Sequence, residues 1–197
     1  MIVRRLKSPK MMGLAAKRLM HLFIATGVVF NCSAQCDLSR IVAGPGNDVR
    51  PSVGDGVNIG ITVRGTDRDV LEYQKDLIAT CACEYDLRGY LIESSDYWYR
   101  FIGASSVDDA LNKAGPHLNT WVTNTCAQLR IEREHVHHYE HDGSISMQFR
   151  ARLSRSDLAQ ILASEMEGSF GVGDSRYGSL VEGLIGVFKT FYVDYPL

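Results

Sequence analysis

Four histidines within seven residues form the one segment of this chain whose residue types suggest metal chemistry. They are His135, His137, His138 and His141. On a strand His135 and His137 would point to the same side, and neutral imidazoles are suitable ligands for zinc or copper. His141 lies further along and would join them only if the chain bends at the following turn. These three are the candidate metal ligands; the alternative interpretation is an exposed polar hairpin with incidental metal affinity.

The cysteines are the second group whose spacing carries chemical information. Cys32 lies in the basic and apolar leader described below, so four remain, at Cys36, Cys81, Cys83 and Cys126. Cys81 and Cys83 are too close in sequence to bond to each other on regular backbone, so each would pair with Cys36 or Cys126. The alternative is that all four are buried thiols that pack as small apolar residues.

Neither group has the surroundings of a known catalytic site. No family signature surrounds Cys83 or Cys126 as a nucleophile, and the glycine-rich segment 168–173 lacks the Gly-Lys-Ser/Thr of a phosphate-binding loop. We therefore expect no catalytic residues and no cofactor.

The first 34 residues have the three-part pattern of a secretory signal peptide. They contain six Lys and Arg but no acid, an apolar run over 19–30, and the small residues Ser33 and Ala34. The run is shorter than the roughly 20 apolar residues that span a bilayer. We predict cleavage after Ala34 and a periplasmic or secreted protein. Contact with the membrane would come only through this export signal or through a lipid anchor, for which the residues before Cys32 and Cys36 are unsuitable.

Removal of the leader changes the charge of the protein. The remaining 163 residues hold 15 Lys and Arg against 23 Asp and Glu, so the formal net charge falls from -2 to -8. A nucleic-acid-binding protein needs a basic surface that displaces counterions from phosphates. Arg150 and Arg152 are the nearest approach to a basic cluster, and we interpret them as a solvated strand. The charge therefore excludes nucleic acid as a partner.

A strand followed by a capped helix occurs three times in the pattern of apolar residues. Apolar side chains alternate over 57–63, 97–101 and 145–153, which predicts three strands. Each is followed by Ser/Thr-x-x-Asp, beginning at Thr66, Ser106 and Ser154, and then by apolar residues at helical spacing. Gly115-Pro116 predicts a kink or a second helix start within the middle helix.

The rest of the chain adds a hairpin and two C-terminal elements. Asp142-Gly143 predicts a two-residue turn with His141 opposite Ser144 and a strand that begins near Val136. Residues 177–188 have helical spacing, and alternation over 191–195 suggests a last strand. The predicted organisation is a signal peptide (1–34), a flexible leading segment (35–56) and a single α+β domain (57–197) whose antiparallel or mixed sheet is packed by helices.

Residues 97–167 resemble the SIMPL family of exported bacterial proteins. The similarity lies in the segments 110–114, 129–136 and 146–162, and the strand at 59–65 is similar to that family's opening strand. The resemblance implies a non-enzymatic α+β protein of the cell envelope that self-associates.

These observations together predict an exported, non-catalytic envelope protein that acts through protein binding or self-assembly. Its partner would be another protein or further copies of itself. The alternative function is a periplasmic metal-binding protein that uses the hairpin 135–141 to hold zinc or copper.

Overall fold

The computed structural model describes residues 36, 46–51 and 55–189, which belong to one compact unit. The predicted signal peptide and the predicted strand at 191–195 lie outside the described residues. The strands are β1 (Asp48–Pro51), β2 (Val57–Gly65), β3 (Arg130–His138) and β4 (Ile145–Leu153). The helices are α1 (Arg68–Glu93), α2 (Ser95–Trp98), α3 (Val107–Cys126), α4 (Arg155–Phe170) and α5 (Asp174–Phe188).

The four strands form one sheet in the order β1-β2-β4-β3, with every neighbouring pair antiparallel. This confirms the predicted α+β class and decides between the antiparallel and mixed alternatives. The apolar residues that alternate along the two central strands are all buried: Val57, Ile59, Ile61, Val63, Met147, Phe149, Ala151 and Leu153. Strand β1 lies within the segment predicted to lead into the domain, so the sheet begins before Val57.

Helix α1 packs on the apolar face of this sheet. Leu71 of α1 approaches Gly65 at the end of β2, and the ammonium group of Lys75 lies 5.1 Å from the centre of the Phe149 ring. Helix α1 also packs against α3, which packs against α4, and α4 packs against α5. The core therefore lies between the sheet and a layer of helices, and the other face of the sheet is left to polar side chains.

The predicted start signals of two helices are confirmed. The hydroxyls of Ser106 and Ser154 accept hydrogen bonds from the backbone N–H of Asp109 and Asp157, which satisfies free donors in the first turn. The first helix begins one residue later than its Thr66 signal predicted, because the Asp67 carboxylate accepts from the N–H groups of Asp69 and Val70.

The predicted strand at 97–101 is wrong. Helix α1 continues to Glu93, and after it the chain forms the short helix α2 and a turn. Trp98 and Ile102 are buried, whereas Tyr97 is 62% exposed. Trp98 and Ile102 are four residues apart, which is the spacing of side chains on one face of a helix. Only that face of the segment is buried, although bulky residues occur at nearly every position.

The predicted register of the β3–β4 hairpin is also wrong. The N–H of Tyr139 donates to the carbonyl of Ser144 over 2.8 Å, so the loop holds four residues, and Val136 lies opposite Met147. Strand β3 begins at Arg130, well before Val136, and a bulge between Arg133 and His135 shifts the pairing by one residue.

The bulge resolves a conflict that the predicted register created. Without the shift, Glu132 and Glu134 would have faced the apolar core, where an unpaired carboxylate is costly. Instead Glu132 lies opposite Arg150, and the Glu134 carboxylate lies 2.6 Å from the Arg150 guanidinium. Both glutamates therefore stay out of the core, and β3 extends over its full length.

Helix α3 runs without a break through Pro116. Proline removes one helical hydrogen bond at a cost of about 3 kcal/mol. Pro116 and Asn112, whose carbonyl loses that bond, are both exposed, so water can replace it. The buried residues Leu118, Trp121 and Val122 beyond the proline keep the helix packed and favour one helix over two.

Candidate functional site: the polar face of the sheet

The face of the sheet opposite the helices carries polar residues at almost every position, and we call it the polar face. Ladder partners share a face in antiparallel strands, so the register assigns these residues to it. They are Asp48, Arg50, Asn58, Gly60, Thr62, Arg64, Arg130, Glu132, His135, His137, Ser146, Gln148, Arg150 and Arg152. Of these only Asn58 and Ser146 are buried, so the face offers charged and hydrogen-bonding groups to a partner.

The structure brings two of the three candidate metal ligands together on this face. His135 and His137 lie opposite Gln148 and Ser146, and their ring centres are 6.3 Å apart. Two exposed imidazoles on one strand can supply two ligands of a site. Zinc or copper binding by this pair stays a prediction.

His141 lies apart from this pair, in the β3–β4 loop. Its side chain is 84% exposed, and Nδ1 is 3.8 Å from the Asp142 carboxylate. Among the described residues no three His, Cys, Asp or Glu side chains are grouped closely enough to hold a metal ion. The bend at the turn that would bring His141 to His135 and His137 is therefore absent from the described hairpin.

Arg64 links the polar face to the β3–β4 loop. Its guanidinium lies 4.3 Å from the centre of the Tyr139 ring, and it donates hydrogen bonds to the Ser144 hydroxyl and to the Asp142 carboxylate, the latter over 3.0 Å. The cation-π contact and the charged hydrogen bonds fix the loop against β2. No local sequence signal indicates this role, because the loop lies 78 residues from Arg64 along the chain.

We expect the loop to respond to acid through Asp142. Hydrogen bonds from Ser144 hold the pKa of Asp142 below its ordinary value of 3.8, and His141 and Arg64 lower the pKa further. A lowered pKa means that these bonds stabilise the loop above pH 3.8 and are lost as the pH falls through the lower folded value. The Ser144 amide resonance should therefore titrate with a midpoint below 3.8, and Asp142→Asn should abolish that titration. A midpoint at or above 3.8 would contradict this arrangement.

The four cysteines predicted to be available for disulfides form two pairs. Cys36 is joined to Cys81, and Cys83 is joined to Cys126, with Cα–Cα distances of 5.1 and 5.8 Å. The spacing of Cys81 and Cys83 predicted that each would bond to Cys36 or Cys126, and each does so. Such pairs indicate an oxidising environment, as found outside the cytoplasm. In this form Cys83 and Cys126 carry no thiolate, so neither is a nucleophile.

Glu84 is a buried carboxylate beside the first disulfide. It is 7% exposed, and the Thr123 hydroxyl donates a hydrogen bond to it over 2.9 Å. Its other oxygen lies 3.4 Å from Cys36 Sγ. The hydrogen bond from Thr123 joins α1 to α3 and gives the buried Glu84 side chain a donor.

A groove lies between α3, α4 and α5. It encloses about 480 Å³ and is open to solvent. Two of its lining side chains donate within the groove: Asn124 donates to the Glu165 carboxylate over 3.0 Å, and the Tyr177 hydroxyl donates to the backbone carbonyl of Gln160 over 3.3 Å. The Glu165 carboxylate and the Tyr177 hydroxyl are therefore already engaged within the protein.

Comparison with known proteins does not add to this description. No protein-family model, no curated protein and no solved structure matches the chain. The resemblance to the SIMPL family therefore stays an expectation. Among the described residues, no helix combines the length and the apolar character needed to cross a membrane.

Proposed function

We propose that this protein is exported to the periplasm or the medium and there binds another protein through the polar face of its sheet. The leader pattern supports export, and the two disulfides fit an oxidising compartment. The observation that carries the proposal is the polar face itself, a surface of four strands with exposed arginine, glutamate and histidine side chains.

The edges of the sheet favour a different protein over a second copy as the partner. Strands β1 and β3 are the two edge strands, and edge-to-edge pairing is the simplest route to self-assembly of a sheet. Strand β1 has only four residues and ends at Pro51, and β3 carries the bulge at Glu134 and exposed charges on Arg130 and Arg133. Bulges and charges are the features by which natural proteins prevent edge pairing. We therefore expect a partner protein to bind to the polar face, where side chains make the contacts.

Site-specific photo-crosslinking in the native host tests this proposal. A photo-reactive residue at Thr62, in the middle of the polar face, should give a discrete crosslinked product with a second protein. The same residue at Glu182, which is exposed on α5, is the matched control and should give none. Crosslinking at Glu182 but not at Thr62 would contradict the assignment of the binding surface.

A further inference from the structure

Two arginines lie directly opposite each other at one end of the polar face. Arg130 of β3 is paired with Arg152 of β4, and both side chains are exposed. Directly opposite residues in an antiparallel pair have Cα atoms about 4.5–5.5 Å apart. Like charges at such positions destabilise a sheet. A charge arrangement that works against folding needs a compensating role.

The two arginines also differ from the other arginines of the polar face because neither forms an ion pair within the described residues. Arg50, Arg64 and Arg150 each form an ion pair, with Asp48 at 2.5 Å, Asp142 at 3.0 Å and Glu134 at 2.6 Å respectively. Within residues 46–51 and 55–189, no salt bridge joins Arg130 or Arg152 to a carboxylate. Their charges are therefore available to a partner.

The neighbouring row of the sheet leaves room for that partner to approach. Gly60 of β2 lies between Arg50 of β1 and Arg150 of β4, so no side chain covers the sheet at its position. Adjacent guanidinium groups can each hold a carboxylate through two parallel hydrogen bonds. An extended acidic segment that crosses the end of the polar face could therefore meet the arginine pair and lie against the sheet.

The charge of the rest of the molecule favours a short acidic segment over a large anionic surface. The chain after residue 34 has a formal net charge of -8, which opposes approach to an anionic membrane. Glu132, exposed in the row next to Arg130, adds local repulsion. A short peptide can contact the two arginines without facing these charges together.

We propose that Arg130 and Arg152 form the recognition site for a carboxylate-rich segment of the partner protein. This inference rests on the proposed function and specifies the chemistry of the partner. The two arginines replace the water around the segment's Asp or Glu side chains with paired, charged hydrogen bonds. The repulsion between the arginines, which weakens the free protein, is relieved when the segment binds.

Fluorescence anisotropy with a labelled ten-residue polyglutamate peptide tests the site. We expect Arg130→Gln/Arg152→Gln to raise the Kd at least tenfold in low salt. Arg176→Gln, on the exposed part of α5, is the control and should leave the Kd unchanged. The double variant should also have a Tm about 2 °C higher, because the like charges are gone, which separates lost binding from lost folding.

Two results would overturn the inference. One is a Kd for polyglutamate that is the same in the native protein and the double variant. The other is tight, arginine-dependent binding to phosphatidylglycerol vesicles without binding to polyglutamate, which would indicate a lipid surface. If either occurs while crosslinking from Thr62 persists, the acidic partner is wrong and the proposed binding face stands.

Discussion

Replacing Cys83 and Cys126 together with alanine is expected to lower the free energy of unfolding by about 4 kcal/mol. The disulfide closes a loop of 43 residues between α1 and α3, and opening that loop returns conformational entropy to the unfolded chain. Both cysteines are buried, so removal of the sulfurs also leaves small voids in the core. A loss of this size is a large share of the stability of a domain, which is commonly 5–15 kcal/mol.

Urea unfolding of the oxidised proteins measures this effect. A reductant supplies the matched control. It should destabilise the native protein by at least as much as the double substitution does, because it also opens the disulfide between Cys36 and Cys81. In the variant, the reductant should remove only the contribution of that remaining disulfide. A variant whose stability equals that of the oxidised native protein would show that Cys83 and Cys126 do not stabilise the fold as a bonded pair.

Trp98→Ala is expected to lower the free energy of unfolding by about 4 kcal/mol. The neighbouring change Tyr97→Ala should lower it by less than about 0.5 kcal/mol. Trp98 is 1% exposed, its indole N–H donates to the Leu91 carbonyl over 3.0 Å, and its ring meets that of Trp121 edge-on at 6.3 Å. Tyr97 is 62% exposed and contributes little to the core.

The pair of substitutions also tests the backbone conformation of this segment. In the strand that the sequence predicted, Tyr97 and Tyr99 would share one face and Trp98 would lie on the other, with bulky side chains buried on both sides. Urea unfolding of both variants decides between the two arrangements. If Tyr97→Ala and Trp98→Ala lower the free energy of unfolding equally, the strand is favoured. Only a much larger decrease for Trp98→Ala is compatible with helix α2.

Local sequence signals predicted the parts of the fold that depend on local chemistry. The alternation of apolar and polar residues was sufficient to predict β2 and β4, because each strand has one apolar and one polar face. The capping residues Ser106 and Ser154 were sufficient to predict two helix starts, because each hydroxyl accepts a hydrogen bond from the backbone three residues later. The segment at 97–101 failed because a run of bulky residues fits periods of both 2 and 3.6.

The candidate site depends on long-range geometry that no local signal contains. The Asp142-Gly143 turn predicted a hairpin correctly but indicated a loop of the wrong length, and nothing near Glu134 predicted the bulge. Only the true register places Arg130 opposite Arg152. The spacing of Cys81 and Cys83 reduced the possible disulfide partners of each to Cys36 and Cys126. The choice between these two partners depended on how α1 packs on α3.

We propose that the chain is exported and stabilised by two disulfides. Intact-mass analysis of the protein purified from its native host, with alkylation before and after reduction, tests this most directly. The prediction is a chain that begins at Gln35, resists alkylation until it is reduced, and then reacts at four cysteines. A chain that keeps Met1 and reacts at all five cysteines without reduction would contradict both export with cleavage and the two disulfides.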